Sequence, residues 1–182
     1  MVPVEKVARI KLLACDVDGV LTDGAIIYGT SNVELKAFSV KDGLGMKLAE
    51  WCGLPVVWLT GRKSEAVARR ADELGVQVYQ SATDKDAGLR QIARDRGLAL
   101  AEIAYIGDDI NDLPAMRLAG FAVAVADAMP EITAAADYIA KTAGGFGAVR
   151  EVIEYILRSQ GRWESAVEIY LENIRTVKLP GQ

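Results

Sequence analysis

The chain has 182 residues, of which 51% are hydrophobic and 25% charged, with a formal net charge of −4. That balance describes one ordinary globular domain, long enough to bury roughly two thirds of its unfolded surface, and without a basic block it excludes a nucleic-acid partner. No apolar stretch approaches the roughly 20 residues of a membrane span, so no membrane association is expected, and the first ten residues are too charged for a signal peptide, so a cytoplasmic location is expected.

In chain order, residues 11–16 form the first predicted strand, an apolar run that ends abruptly at Asp16 and Asp18. Residues 25–28 and 33–38, around a turn at 29–32, read as a β-hairpin whose second strand alternates apolar and polar residues. Ile26, Ile27, Tyr28 and Phe38 give this projecting ribbon an apolar surface. A neighbouring subunit is its expected cover, with packing onto its own domain as the alternative. Helices follow over 44–52, 63–74, 86–96 and 112–119, interleaved with strands over 55–60, 76–79, 103–107 and 121–125 and a short one at 138–140. Two helical stretches, 147–159 and 162–174, close the pattern, and a tail runs from 175 to the end.

Regular alternation of strand and helix predicts βαβ units and a mostly parallel sheet. Strands as continuously apolar as Pro-Val-Val-Trp-Leu at 55–59 are buried on both faces, which makes the fold class α/β, a three-layer α/β/α sandwich. One domain over 1–165 with a helical tail over 166–182 accounts for the chain, which has no repeat and no linker.

The chemistry is narrowed first by what is missing. There is no histidine, which removes Ser-His-Asp and Cys-His nucleophilic machinery and imidazole zinc sites. Cys15 and Cys52 have no CxxC neighbour and read as buried reduced thiols. Asp16 and Asp18, two residues apart, face the same side at a strand end, where parallel sheets bind ligands. They are close enough to share a hard cation and flank a small anion, although such a pair alone is equally an acidic turn. Three further sites fall at predicted strand ends. Thr60-Gly61-Arg62 offers a hydroxyl and a main-chain N–H where a helix begins, a ready anion site. Lys85 begins the next helix and brings a compact positive charge, and Gly107-Asp108-Asp109-Ile110-Asn111-Asp112 repeats the opening logic of strand, turn and carboxylates. An EF-hand from Asp16 fails because Val20 and Ile27 stand where oxygen ligands are needed. Gly61-Arg62-Lys63-Ser64 lacks the first glycine and GK pair of a P-loop, and Gly144-Gly145-Phe146-Gly147 lacks dinucleotide-binding spacing and reads as a turn capping the next helix.

In the order DxD, T, K, GDDxxD, these four segments resemble the motifs of the haloacid dehalogenase superfamily of phosphotransferases. The resemblance implies that Asp16 is a nucleophile forming an aspartyl-phosphate and Asp18 the acid/base, with Thr60, Gly61 and Lys85 on the phosphate. It also implies a Mg²⁺ held by Asp16, the main-chain carbonyl of Asp18, and Asp108, with Asp109 and Asp112 behind them. Oxygen ligands would equally admit Mn²⁺ or Co²⁺. Asp18 must be protonated to release an alkoxide leaving group, and crowding by Asp16 and the 108–112 cluster is expected to raise its pKa.

The intervals 19–55 and 61–84 leave no room for a cap domain. An uncapped site takes large substrates or borrows a wall from another subunit, which links the hairpin to oligomerisation. Over 8–165, through CDVDGVLTDG, ELKAFSVKDGLGMK, LTGRK, YIGDDINDLPAM, VAVADA and AGGFGAVREVIEYIL, the chain resembles the capless 3-deoxy-D-manno-octulosonate 8-phosphate phosphatases. This implies a homotetramer that hydrolyses the 8-phosphate of an eight-carbon ulosonic acid on the route to lipopolysaccharide. It further implies a sugar-acid site lined by Ser39, Val40, Lys41, Asp42, Gly43, Lys47, Arg62 and Arg70. An ulosonate carries a carboxylate besides its phosphate and needs fixed cations. Three positions depart from the pattern: Lys47 and Phe146 where arginine is expected, and Met129 where histidine is. Lysine cannot grip a carboxylate bidentately, so a phosphatase for a nine-carbon ulosonate 9-phosphate, of neuraminate or nononate type, stays open. The rival of another class is a noncatalytic assembly domain of a sugar-nucleotide synthetase, against which the intact Asp16, Asp18, Thr60, Lys85 and Asp108 stand.

Overall fold

The computed structural model describes residues 4–176, apart from the side chains of Val4, Asn32 and Thr176, so that 177–182 of the expected tail lie outside the described residues. In chain order the elements are α1 (Val4–Ala8), β1 (Leu12–Cys15), β2 (Ile27–Tyr28), β3 (Glu34–Leu35), α2 (Val40–Trp51), β4 (Val56–Leu59), α3 (Glu65–Leu74) and β5 (Gln77–Tyr79). They continue with α4 (Lys85–Arg96), β6 (Ile103–Gly107), α5 (Leu113–Leu118), β7 (Phe121–Ala124), α6 (Pro130–Ala135), β8 (Tyr138–Ile139), α7 (Ala148–Ser159) and α8 (Trp163–Thr176).

Six strands form one sheet in the order β5-β4-β1-β6-β7-β8, and every neighbouring pair is parallel. The strands are apolar throughout because both faces are covered. Leu13, Cys15, Trp58, Ile106 and Val123 face one core with residues of α2, α7 and α8, while Leu12, Ala14, Leu59, Tyr105 and Ala122 face another with residues of α4, α5 and α6. This is the expected three-layer sandwich. The chain runs from β1 outward to β4 and β5, then returns to β6 on the other side of β1, so the strand order reverses between β1 and β6. Ligands of open α/β sheets bind at that switch point, outside the carboxyl ends of the strands.

Between β1 and α2 the chain makes only the antiparallel β2-β3 hairpin, a separate two-stranded sheet, and no cap domain interrupts the described residues. The hairpin differs from expectation in one respect. Ile26, Ile27 and Tyr28 are exposed, but Phe38 is half-buried and stacks on Trp58 with ring centroids 6.0 Å apart, while Val33 and Leu35 take its place on the exposed side.

Helix α2 begins at Val40 rather than 44. The propensity cost of Gly43 and Gly45 hides this first turn, yet packing requires both glycines. A Cβ on Gly43 would lie 2.7 Å from the Arg70 guanidinium, and one on Gly45 2.9 Å from Arg150 Cδ. The short helices α1 and α6 were not expected, being only 5 and 6 residues long.

Candidate active site

β1 ends where a buried backbone must leave the sheet, and Asp16 is the first residue beyond it, its N–H still bonded to Ile106 at 3.0 Å. Only 4% of Asp16 is exposed. Its Oδ1 accepts from the Val17 N–H at 2.7 Å and its Oδ2 lies 2.7 Å from Lys85 Nζ. Lys85, first residue of α4, is 1% exposed and also donates to Asp112 Oδ1 at 2.5 Å. Asp112 in turn accepts from the Tyr105 hydroxyl at 2.6 Å through Oδ1, and from the N–H groups of Asp108 at 2.9 Å and Asp109 at 3.3 Å through Oδ2. Both oxygens of Asp112 are therefore committed to fixing Lys85 and the turn after β6.

Asp108 leaves β6 beside Asp16, and the 17–24 loop closes over it. Gly19, at φ +89°, approaches so closely that a Cβ there would stand 2.0 Å from Asp108 Oδ2. Thr22 ties the loop, accepting from the Gly24 N–H at 3.2 Å. On the β4 side, Thr60 Oγ1 accepts from the Arg62 N–H at 3.2 Å. The 60–62 turn is zipped to its neighbour by Ala82 N–H to Thr60 carbonyl at 3.0 Å and Ser81 N–H to Arg62 carbonyl at 3.3 Å.

Asp16, Asp18, Thr60, Gly61, Arg62, Asp108 and Asp109 line one cavity of 260 Å³, together with Gly24 and Asn111, which the sequence did not single out. Burial pushes Asp16 up to about 7, with repulsion from Asp112 adding to it and Lys85 opposing. Burial, then repulsion from Asp16 and Asp112, pushes Asp108 up to about 8. Burial works against the Lys85 ammonium, but Asp16 and Asp112 outweigh it and raise its pKa. Carboxylates are crowded here, but the pair they raise is Asp16 and Asp108, so the crowding lends no support to the acid expected from the sequence.

A divalent cation fits these residues. Carboxylate oxygens of Asp16, Asp108 and Asp112 lie within 4.8 Å of one another, and the buried Asp108 Oδ1 has no hydrogen-bond partner. Asp112 is turned away to Lys85, Tyr105 and the turn after β6, whereas Asp16 and Asp108 line the cavity and are the carboxylates placed to meet a hard cation.

Of the remaining expected residues, Arg62 reaches the cavity and the others do not line it. Arg70 packs over Gly43 beside the hairpin, where it pairs with Glu73 at 3.1 Å and lines a separate hollow of 370 Å³. Ser39 precedes α2 without a side-chain capping hydrogen bond, Val40 and Lys47 are exposed, and Lys41 lies against Gly147. Asp42 has a structural role that the sequence did not announce. It is 2% exposed, and its Oδ1 accepts from the Arg150 N–H at 2.7 Å. Helix α7 begins after Gly147, which has no side chain to cap it, and Asp42 supplies the missing acceptor from α2. Sequence reasoning also missed Lys36 and Glu34, whose side chains reach Asp18 and Arg62. The available signal was their alternation with Phe38 on one face of the hairpin.

A haloacid dehalogenase-like hydrolase family model matches residues 59–153. The 3-deoxy-D-manno-octulosonate 8-phosphate phosphatase of Escherichia coli K12 is 42% identical over 164 residues, 90% of this chain and 87% of that protein. The chain belongs to the haloacid dehalogenase-like hydrolases. Among solved structures, a hydrolase of subfamily III A of that superfamily from Legionella pneumophila matches this hydrolase with a TM-score of 0.90 and 40% identity, covering 93% of each chain. The 3-deoxy-D-manno-octulosonate 8-phosphate phosphatase of Moraxella catarrhalis, solved with magnesium, phosphate and the sugar acid, matches with a TM-score of 0.88 and 43% identity over 92% of this chain and 97% of that one.

Proposed function

We propose that the protein is a Mg²⁺-dependent phosphatase that hydrolyses 3-deoxy-D-manno-octulosonate 8-phosphate, a step toward lipopolysaccharide. The observation that carries this reading is the single cavity where Asp16, Asp18, Thr60 and Asp108 converge, with the Lys85 ammonium 2.7 Å from Asp16. Relatives more than 40% identical over nine tenths of the chain carry the same activity in their names.

Enzymes accelerate phosphate monoester hydrolysis by as much as about 10²¹-fold, which no single group supplies. In our reading a carboxylate oxygen of Asp16 attacks phosphorus as the bond to the sugar oxygen breaks, and Asp18 passes its proton to that oxygen. A water then attacks the aspartyl-phosphate with Asp18 taking the proton back, releasing phosphate and restoring Asp16. Lys85, the Thr60 hydroxyl and the Gly61 N–H hold the phosphoryl oxygens. Asp16, the Asp18 carbonyl and Asp108 would hold Mg²⁺, which when bound neutralises charge on those oxygens. Asp109 and Asp112 support this set through the turn after β6.

Arg62, at the cavity mouth, is the cation placed to meet the sugar-acid carboxylate. Ser39, Val40, Lys41, Gly43, Lys47 and Arg70 would join it only in an assembly where another chain completes the wall. Exposed Ile27, Tyr28, Val33 and Leu35 on the hairpin support a homotetramer as that assembly. Sedimentation at micromolar concentration tests it, and a fully active monomer would contradict it. Free, unpaired Cys15 and Cys52 suit a reducing cytoplasm. Lys47, Met129 and Phe146, the three departures, all lie outside the carboxylate cavity. The relatives' names favour the eight-carbon substrate over the nine-carbon alternative, and the complete carboxylate cavity speaks against a noncatalytic assembly domain. The test is phosphate release from eight- and nine-carbon ulosonate phosphates and simple sugar phosphates, with and without EDTA. Preference for the eight-carbon substrate, abolished by EDTA, is expected; preference for another, or indifference to EDTA, would overturn the reading.

A further inference from the structure

Two charged hairpin residues outside the four motifs, Glu34 and Lys36, join Asp18 and Arg62 in a partly buried cluster. Glu34, Lys36 and Phe38 alternate with the more exposed Leu35 and Ala37, so the first three share the inner face of β3 and its continuation. Phe38 pins that face to the domain by its stack on Trp58. The Lys36 side chain has no exposed surface, and its ammonium bonds Asp18 Oδ1 and lies 3.3 Å from Glu34 Oε1. Arg62 closes the circuit, donating to Glu34 Oε2 at 2.9 Å and placing its Nε 3.7 Å from Asp18 Oδ2. Two cations and two carboxylates thus alternate around a ring with no net charge.

A fully desolvated ammonium persists only where it is paired, so Asp18 and Glu34 together fix Lys36. The constraint is mutual. Among the described residues, Lys36 is the one hydrogen-bond donor to the Asp18 carboxylate. The 17–24 loop is tied through Thr22 to main-chain groups and leaves that carboxylate's rotation unset. We propose that Lys36 is a positioning residue for Asp18. When Asp18 takes up a proton the ring gains one positive charge; with Lys36 on Oδ1 that proton sits on Oδ2, and Lys36 sets the orientation from which it passes to the departing sugar oxygen, while Glu34 holds Lys36 and Arg62 at the spacing this needs. The inference rests on reading Asp18 as the leaving-group acid, and it makes the hairpin part of the catalytic apparatus as well as a surface for assembly.

The test compares kcat/KM for two substrates: 3-deoxy-D-manno-octulosonate 8-phosphate, which leaves as an alkoxide and needs a proton, and p-nitrophenyl phosphate, whose phenolate does not. kcat/KM reports events up to departure of that group, so the shared hydrolysis of the aspartyl-phosphate does not mask the difference. Lys36→Met is expected to lower kcat/KM roughly 10–100-fold for the sugar-acid phosphate and less than about 3-fold for the aryl phosphate. Lys36→Arg is expected to restore most of the loss, and Glu34→Gln to show the same selectivity more weakly. Equal losses on both substrates, or none, in Lys36→Met would overturn the proposal. Should that variant fail to fold by circular dichroism, Glu34→Gln decides on the same criterion. Asp18→Asn, run alongside, separates the two levels. If it also loses equally on both substrates, Asp18 is not the leaving-group acid and the underlying reading fails; if it alone is selective, only the positioning role fails.

Discussion

Replacing Lys85 by methionine removes the one ammonium that bridges Asp16 and Asp112, at 2.7 and 2.5 Å, and leaves two buried carboxylates facing each other. Breaking a buried pair from one side costs about 3–5 kcal/mol, because the surviving charge stays desolvated. At roughly 2–4 °C per kcal/mol for a chain of this size, Tm should fall by roughly 6–20 °C at pH 7.5 in EDTA. The deficit has a pH signature. Asp16 sits at about 7 even with Lys85 opposing the rise, against 3.8 for an ordinary aspartate. Without Lys85 its folded pKa climbs further, so the folded variant binds protons that its unfolded chain has released. A carboxyl raised in this way loses stability as pH rises from about 4 through its folded value, and the loss reverses on acidification. Thermal unfolding of both proteins from pH 5 to 8 should show the gap narrowing to about 1–2 kcal/mol at pH 5, the residue of lost packing. A gap that stays constant across that range, or a variant as stable as the wild type at pH 7.5, would refute the account of Lys85 as the charge that makes Asp16 tolerable.

Asp42→Asn should behave in the opposite sense. Burial raises Asp42 to about 6, partly offset by the Arg150 N–H, and its Oδ2 has no partner. An asparagine keeps the cap on α7 without the charge, so it should gain about 1–2 kcal/mol over the wild type at pH 7.5, a gain that shrinks as pH falls through about 6 and is lost below about 3.8, read from urea unfolding; a loss at pH 7.5 would sink this reading. Gly19→Ala adds a Cβ 2.0 Å from Asp108 Oδ2 at φ +89°, costing about 1–2 kcal/mol in backbone strain and displacing that carboxylate. The rise in Tm on adding Mg²⁺ should shrink or vanish, and an undiminished rise would count against Asp108 as a ligand.

The site's residues were legible in the sequence because Asp16, Thr60 and Asp108 sit where apolar runs stop and Lys85 opens the helix after the next strand, and the sheet's switch point gathers them. Asp16, Thr60, Lys85 and Asp108 needed no tertiary detail beyond a parallel sheet. Lys36 was hidden, since its contact with Asp18 depends on the direction in which the hairpin folds back, which two-residue strands do not encode. The capping role of Asp42 was hidden for a related reason. On a first helical turn a carboxylate reads as solvent-facing or ligand-facing, and only the packing of α2 on α7 turns it toward the uncapped end at Gly147. The early start of α2 was masked by glycines that its neighbours demand and its own propensity opposes.

The central claim is that Asp16 is the nucleophile of an ulosonate-phosphate phosphatase. Its most direct test is the turnover of 3-deoxy-D-manno-octulosonate 8-phosphate by wild type and Asp16→Asn with Mg²⁺ present. A fall in kcat of at least about 10³-fold, with the fold retained, is the predicted result. Turnover within a few-fold of wild type would contradict it.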